Sequence, residues 1–294
     1  MSGVDDIQTI CVVGAGAMGA QIAQQCALHG YAVNLFDSRR EALGKAIASN
    51  RGYLQRRVDK GRMSAADMEA AIGRIDTTMD FEDSVASADF VVEAIPEELE
   101  LKRAMFEELD HCAAPHAILA SNSSAIPISR VASLTERPEQ CVNMHFFNPP
   151  LVMELVEVCQ GPRTSDETVE TTMDLVRKIG RSPVLIKKEI AGFLVNRILG
   201  AVFQEAAWLV EQGYATVEDV DRAMELGARH PMGPFKLMDF AGLDVSFHAV
   251  ENMYQETGDE RYKPGKLLED HVHNGELGVK TGKGFYTYPV LPAS

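Results

Sequence analysis

A histidine and a glutamate that stand twelve residues apart are the side chains in this sequence best suited to chemistry. His145 lies in the stretch Asn-Met-His-Phe-Phe-Asn-Pro-Pro, and Glu157 ends the hydrophobic run that follows it. If His145 lies on a chain reversal, the returning carboxylate can hold the imidazole in one tautomer and raise its basicity, as proton transfer requires. Considered alone, a buried histidine beside an acidic residue is more often structural than catalytic.

A glycine pattern near the N-terminus indicates what such a base would work with. An apolar run at residues 10–13 leads into Gly-Ala-Gly-Ala-Met-Gly and then into a helical segment, which is the context of a dinucleotide-binding loop. The first glycine permits a tight turn, the second lets the backbone approach a pyrophosphate, and the third allows close helix–sheet packing. The N–H groups at the helix N-terminus attract phosphate. The predicted contacts are Gly14, Ala15, Gly16, Ala17, Met18 and Gly19.

The next predicted strand ends in Asp37, eighteen residues after Gly19. A carboxylate here can accept hydrogen bonds from the ribose hydroxyls and repels a 2′-phosphate, which favours NAD over NADP. Arg39 and Arg40 argue in the other direction, because arginines at this place can bind that phosphate. We give the carboxylate more weight because it lies at the strand end itself.

The elements that must position these groups alternate along the first 190 or so residues. Short apolar segments are separated by longer helical patterns, which predicts an α/β domain with a parallel, doubly wound, Rossmann-type sheet. The charged region 39–68 is long for one crossover and predicts a helical pair beside the sheet. The predicted strands are residues 7–13, 32–36, 89–94, 117–121, 140–144 and 152–158.

A polar run at residues 121–124, Ser-Asn-Ser-Ser, follows one of these strands. It could supply hydrogen-bond donors for a substrate oxygen. The alternative is a polar turn that caps a helix at residues 126–133.

From about residue 189 the pattern becomes entirely helical. Residues 192–213 are predicted to form one long helix, and the spacing of Thr216 and Asp219 predicts the N-cap of the next. We therefore predict a domain of residues 1–188 followed by an all-helical domain of residues 189–294. The helical half has more apolar face than a small domain can bury, which predicts a homodimer through this domain.

Composition excludes several classes of function. A net charge of −15 provides no basic surplus for nucleic acid, and the five scattered cysteines include no CxxC pair, which predicts reduced thiols. The acidic start does not resemble a secretory signal, and no apolar run reaches membrane-spanning length. We predict a cytoplasmic protein that binds neither membranes nor nucleic acid. No third ligand accompanies His271 and His273, so no metal site is predicted.

Eight motifs are spread in order along almost the whole chain, at residues 14–19, 91–97, 119–124, 145–149, 155–158, 192–197, 231–234 and 280–286. Together they resemble the L-3-hydroxyacyl-CoA dehydrogenase family, including bacterial 3-hydroxybutyryl-CoA dehydrogenases. The resemblance implies a reversible, NAD-dependent oxidation of (S)-3-hydroxyacyl-CoA to 3-oxoacyl-CoA.

The resemblance also implies roles for single residues. His145 would take the proton of the 3-hydroxyl, Glu157 would orient His145, and Ser124 would hydrogen-bond the substrate oxygen near the nicotinamide. Asn196 would complete that cluster, unless it is an amide packed inside a helix. Further implied cofactor contacts are Glu97, Lys102, Asn122, Ser124, Asn148 and Lys280, and Lys60 matches a position that binds the CoA moiety.

Alternatives remain for these residues and for the substrate. Glu97 and Lys102 could form a solvated pair at a helix start, and the basic cluster around Lys60 could be a solvated helix face. Tyr53 stands where the family can place a serine on CoA. Pro150 and the following leucine, Ser123 and Glu154 depart from the usual acyl-CoA enzymes, and the Pro-Pro-Leu run also occurs in L-gulonate 3-dehydrogenases and λ-crystallin. A free hydroxy-acid is therefore the alternative substrate, and a non-catalytic NAD-binding protein is a third possibility.

Overall fold

The computed structural model describes residues 3–289 and divides the chain into two compact units, one ending at Ile190 and one beginning at Ala191. Within the described residues, the first unit contains one eight-stranded sheet in the order β3-β2-β1-β4-β5-β6-β7-β8. The strands are β1 (Thr9–Val13), β2 (Ala32–Phe36), β3 (Ile75–Thr78), β4 (Phe90–Glu93), β5 (Ile118–Ser121), β6 (Cys141–Phe146), β7 (Leu155–Cys159) and β8 (Ser182–Ile186).

Helices cover both faces of this sheet. Alternate residues of β1 point to opposite faces, so Ile10 and Val12 join one hydrophobic core while Cys11 and Val13 join the other. This arrangement confirms the predicted doubly wound sheet. The helices are α1 (Ala17–Leu28), α2 (Arg40–Asp59), α3 (Ala65–Ile72), α4 (Phe81–Ala86), α5 (Leu99–Cys112), α6 (Ile128–Val131) and α7 (Asp166–Lys178), with 3₁₀ turns at Val4–Asp6 and Pro138–Gln140.

The strand pairing differs from an all-parallel sheet in one place. Helical crossovers allow parallel pairing from β3 through β6 and again from β7 to β8, but β7 returns antiparallel to β6. Only eight residues separate these two strands, too few for a parallel crossover. The predicted strand at residues 152–158 begins only at Leu155, because the backbone N–H groups of Val152 and Met153 bond to the Pro149 carbonyl in a turn.

The charged region after β2 forms the predicted helical pair. Ser64 caps α3 by accepting a hydrogen bond from the Asp67 N–H, and the two helices share a small core of Leu54, Met68 and Ile72. The strand after this pair, β3, has the sequence Ile-Asp-Thr-Thr. Three of its four residues are polar and two of these, Asp76 and Thr77, are exposed, so there is no apolar run and no strand was predicted there.

The second unit is helical, with its own hydrophobic core. The long helix predicted at residues 192–213 begins only at Val195, because Gly192 and Phe193 have φ angles of +74° and +48°, outside the helical region. Thr216 caps α9 as predicted, accepting a hydrogen bond from the Asp219 N–H. The helices are α8 (Val195–Glu211), α9 (Val217–Gly227), α10 (Pro234–Ala241), α11 (Leu243–Thr257) and α12 (Lys266–His273), with 3₁₀ turns at Glu260–Tyr262 and Val279–Thr281.

Among residues 3–289 there is no helix long and apolar enough to cross a membrane. The same part of the chain contains no cluster of three or more side chains able to hold a metal ion. All five cysteines are free thiols.

Candidate active site

The predicted histidine–glutamate pair forms across the antiparallel β6–β7 ladder. His145 lies directly opposite Glu157, and its Nδ1 atom is 2.9 Å from Oε2 of the carboxylate. Both residues are buried, with exposed fractions of 5% and 1%. The expectation that His145 lies on the chain reversal is wrong, since it belongs to a strand that continues to Phe146. The backbone ladder therefore aligns the two side chains.

This pairing defines which nitrogen of the imidazole can act as a base. An ionised carboxylate can only accept a hydrogen bond, so Nδ1 of His145 carries the hydrogen toward Glu157. The neutral ring then has its basic lone pair on Nε2. The ring of Phe147 packs at a tilted angle with its centroid 4.5 Å from the imidazole centroid, which further restricts the orientation of His145.

The loops that leave β1, β4 and β5 lie at the same edge of the sheet as the end of β6, because these four strands are parallel neighbours. The carboxyl edge of a parallel sheet is where ligands bind in this architecture. Asn122, just after β5, accepts a hydrogen bond from the Phe146 N–H at 2.9 Å. The predicted cofactor residue Asn122 is therefore bonded to the residue next to His145.

Glu97 organises the polar run after β5. Its Oε1 accepts hydrogen bonds from the Ser124 N–H at 2.8 Å, the Ala125 N–H at 3.0 Å and the Ser123 hydroxyl at 2.6 Å. The Ser124 hydroxyl also donates to Oε1, at 3.3 Å. Burial acts to raise the pKa of the Glu97 carboxyl, but the Lys102 ammonium and these hydrogen bonds hold that pKa below its ordinary value.

Lys102 joins Glu97 to a second carboxylate that the sequence analysis missed. The Lys102 ammonium is 2.7 Å from Glu93 Oε1 and 3.3 Å from Glu97 Oε2. Lys102 is 1% exposed and Glu93 is fully buried, so the solvated-pair alternative is wrong for this lysine. Glu93 also accepts hydrogen bonds from the Ser121 hydroxyl and the Ile95 N–H. The sequence feature that could have indicated a role for Glu93 is its place at the end of the apolar strand Phe-Val-Val-Glu.

The turn alternative for residues 121–124 is partly correct. The Ser123 hydroxyl oxygen accepts a hydrogen bond from the Ile126 N–H at 2.8 Å, so this serine does stabilise a turn. The helix predicted after it is only the single turn α6. Ser124 lies beside this turn and is partly exposed.

The glycine loop has the geometry that a dinucleotide requires. Gly14 has φ of +105°, and a Cβ atom on Gly19 would lie 1.8 Å from the Gly14 carbonyl oxygen, so side chains are excluded at both positions. A Cβ atom on Gly16 would meet nothing within 4 Å. Among the side chains of residues 3–289, none caps the N-terminus of α1 at Gly16, so the first N–H groups of this helix can bind an anion.

Asp37 fixes the strand end to this loop. Its carboxylate accepts hydrogen bonds from the Ala15 N–H at 3.0 Å and the Arg39 N–H at 2.9 Å. Arg39 itself reaches the same carboxylate from a largely exposed position. A cleft of about 380 Å³ adjoins the loop and is lined by Ala15, Gly16, Ala17, Ala20, Gln21, Arg39, Glu41, Ala42, Lys45, Ala46, Ser49 and Asn50.

Four predicted site residues are not among the contacts described so far. Asn148 is exposed two residues after β6, and Lys60 is the exposed C-cap of α2. Asn196 and Lys280 belong to the second unit. Asn196 lies in the first turn of α8, and the Lys280 ammonium is 2.6 Å from both carboxylate oxygens of Asp244.

Comparison with known proteins identifies the family of this chain. A family model described as "3-hydroxyacyl-CoA dehydrogenase, NAD binding domain" matches residues 9–190, and "3-hydroxyacyl-CoA dehydrogenase, C-terminal domain" matches residues 192–288. The first description agrees with the predicted cofactor, NAD. A probable 3-hydroxybutyryl-CoA dehydrogenase of Bacillus subtilis (strain 168) is 41% identical over 283 residues, which cover 96% of this chain and 98% of that protein.

Two solved structures are also closely similar. The crystal structure of (S)-3-hydroxybutyryl-CoA dehydrogenase from Ralstonia eutropha aligns with a TM-score of 0.92 and 38% identity, over 97% of this chain and 100% of that one. That of 3-hydroxybutyryl-CoA dehydrogenase from Escherichia coli K12 substr. MG1655 aligns with a TM-score of 0.93 and 36% identity, over 98% of this chain but 61% of that one. The chain belongs to the 3-hydroxyacyl-CoA dehydrogenase family, as its motifs predicted.

Proposed function

We propose that this protein catalyses the reversible, NAD-dependent oxidation of (S)-3-hydroxyacyl-CoA, such as 3-hydroxybutyryl-CoA, to 3-oxoacyl-CoA. The observation that carries this proposal is the buried His145–Glu157 pair on the strand next to the Ser124 loop, in a sheet that also holds a dinucleotide loop. The relatives named as 3-hydroxybutyryl-CoA dehydrogenases, which match the chain nearly end to end, support the choice of substrate.

In the proposed mechanism, bound NAD supplies the acceptor for the hydride that leaves C3 of the acyl chain. His145 accepts the hydroxyl proton on Nε2, while Glu157 holds the Nδ1–H and stabilises the positive charge that develops on the ring. Ser124 donates a hydrogen bond from its hydroxyl to the reacting oxygen, and Asn196 adds a second hydrogen bond from its side-chain amide. General base catalysis of this kind contributes about 10²–10⁴ in rate.

The proposed cofactor contacts divide between backbone and side chains. Residues 14–19 offer N–H groups to the pyrophosphate, and Asp37 accepts from the adenosine ribose. Glu97, Asn122, Ser124, Asn148 and Lys280 are proposed to contact the rest of NAD. Lys102 has its ammonium committed to two carboxylates, so we propose that it acts on the cofactor by fixing Glu97.

For the CoA moiety we propose the cations at the C-terminal end of α2, including the predicted residue Lys60. Arg56 and Lys60 are exposed and Arg57 is half-buried, and these form a local positive surface in an acidic protein. Arg51, also part of the predicted basic cluster, is paired with Glu69. Such a surface suits the phosphates of CoA, and a solvated helix end is the competing interpretation.

Paired kinetic assays test the proposed function. We expect NADH-dependent reduction of acetoacetyl-CoA and little NAD-dependent oxidation of L-gulonate, with a lower KM for NADH than for NADPH because Asp37 repels a 2′-phosphate. The reverse substrate preference would favour a free hydroxy-acid dehydrogenase, an alternative that the run Pro149-Pro150-Leu151 supports. Tight NADH binding without turnover of either substrate would favour a non-catalytic protein.

We further propose that residues 1–188 bind NAD, that residues 189–294 serve substrate binding and dimerisation, and that the protein works in the cytoplasm. The match of residues 9–190 to an NAD-binding domain supports the first of these statements. Large exposed apolar side chains on the second unit, among them Ile198 at 64% and Phe240 at 60% exposure, support dimerisation.

A further inference from the structure

The loop between β6 and β7, residues 147–154, begins two residues after His145, and its middle is held from outside at three points. The Leu151 N–H donates to Gln21 Oε1 on α1 at 3.2 Å, and the Leu151 carbonyl accepts from the Tyr53 hydroxyl on α2 at 3.2 Å. The Pro150 carbonyl accepts from Nη2 of Arg181 at 2.8 Å. These bonds fix the loop by its backbone, so they set its position whatever its side chains are.

Two of the three points tie this β6–β7 loop to the helix of the dinucleotide loop. Gln21 lies on α1, and Arg181 also donates to Gln25 of the same helix at 2.7 Å. The third point, Tyr53, belongs to a different helix. It lies one turn before the α2 cation cluster, which we define as Arg56, Arg57 and Lys60.

Tyr53 is in contact with both the loop and that cluster. Its ring packs against the small core beneath α2 and α3, and the Arg56 guanidinium lies over the ring at 5.8 Å from its centroid. The hydroxyl at the far end of the ring holds Leu151. Asp59, the one acidic residue in the last turn, is bonded to Gln55. A phosphate bound by the cluster would therefore restrain α2, and the Tyr53 of that helix in turn restrains the loop.

We propose that Tyr53 is a positioning residue that couples recognition of the nucleotide part of acyl-CoA to the placement of the β6–β7 loop and, through it, of His145. The inference rests on the proposed function, since it requires an acyl-CoA substrate. Its consequence is that binding energy from the remote nucleotide is used to raise kcat and not only to lower KM.

Two thioesters with the same reacting group test this coupling. Acetoacetyl-CoA carries the nucleotide, whereas S-acetoacetyl-N-acetylcysteamine ends before it. For the wild-type protein with NADH we expect a higher kcat with the CoA thioester. For Tyr53→Phe, which removes one oxygen and keeps the ring, we expect kcat with acetoacetyl-CoA to fall about fivefold to tenfold, the range of one lost hydrogen bond. The kcat with the short thioester should change less than twofold.

Tyr254→Phe is the matched control, because it removes a hydroxyl that bonds Glu260 at 2.8 Å on the second unit. It should leave both reactions unchanged. An equal loss of kcat with both thioesters would show that Tyr53 is merely structural, and no loss with either would show that its hydroxyl does not affect turnover. Either result would overturn the inference and leave the proposed function intact. A wild-type kcat that is the same for both thioesters would do so too. If the wild-type protein reduced neither thioester, the proposed function would fall and the inference with it.

A second variant separates the hydroxyl from the cations. Arg56→Gln combined with Lys60→Gln should abolish the kcat advantage of the CoA thioester while Tyr53 is intact. Adding Tyr53→Phe to that variant should then cost less than twofold further, because the two changes interrupt one coupling. Fully multiplicative losses would contradict the proposal.

Discussion

One oxygen of the buried Glu157 carboxylate sets the orientation of the His145 imidazole, so substitution of either side chain should lower kcat. We expect His145→Ala to lower kcat by about 10²–10⁴, the contribution of a general base. Glu157→Gln should lower kcat as well, because an amide can donate to Nδ1 and thereby favour the wrong tautomer. The measurements are kcat for acetoacetyl-CoA reduction and, as a control, the Kd of NADH by fluorescence titration. That Kd should change little, and an unaltered kcat in the histidine variant would remove the mechanism.

The Glu97 carboxylate should make the stability of the protein depend on pH. Its pKa is held below the ordinary value of 4.5, so the folded protein binds this proton less readily than the unfolded chain does. The resulting stabilisation is fully present above about pH 5 and is lost as the pH falls through the lowered pKa. The free energy of unfolding of Glu97→Gln should thus be lower than that of the wild type at pH 7. The gap should narrow below pH 4.5, as measured by urea denaturation at a series of pH values. A difference in the free energy of unfolding that did not change with pH would show that the charge of Glu97 is not the cause of that difference.

Some contacts between single residues of the site could be predicted from the sequence and others could not. The His145–Glu157 pair was predicted, because a short return of the chain limits where Glu157 can go. The role of Glu93 was not predicted, because a single carboxylate at the end of an apolar strand does not indicate which side chain it pairs with. Only the fold brings Lys102 and Ser121 to it. The roles of Ser124 and Asn196 stay predictions.

At the scale of elements, Gly16 before α1 and Gly19 within α1 are required for different physical reasons. Gly19→Ala should destabilise the fold strongly, because its Cβ atom would lie 1.8 Å from the Gly14 carbonyl oxygen. Gly16→Ala has open space around the new methyl group and a φ of −69°, which alanine tolerates. That variant should keep its Tm within about 2 °C and bind NADH at least tenfold more weakly, since the methyl group occupies the space of the pyrophosphate.

Thermal denaturation and NADH titration of the two variants test this contrast. Normal NADH affinity in Gly16→Ala would mean that the pyrophosphate lies elsewhere. An unchanged Tm in Gly19→Ala would contradict the packing argument. The pair separates a glycine needed for folding from one needed for the ligand, a distinction that the sequence motif alone does not make.

For the whole molecule, the prediction of a homodimer can be tested directly. Large apolar side chains are exposed on the second unit, and we expect a mass near twice 32.2 kDa in sedimentation velocity. Ile198→Glu should shift the mass toward the monomer, because it would place a charge in an apolar contact. Leu134→Glu on the first unit, where Leu134 is 59% exposed, is the matched control and should leave the mass unchanged. A monomeric wild-type protein would end the proposal.

The sequence by itself determined the features that depend on local pattern. The Gly14–Gly19 loop, the apolar strands around it, the cap at Thr216 and the family all follow from residues close together in the chain. Only the tertiary structure decided how distant segments meet. The fold buries Lys102 between two carboxylates, and Tyr53 reaches Leu151 across 98 positions of sequence. The physical reason is that a hydrogen bond between remote residues leaves no periodicity in the chain for a local pattern to reveal.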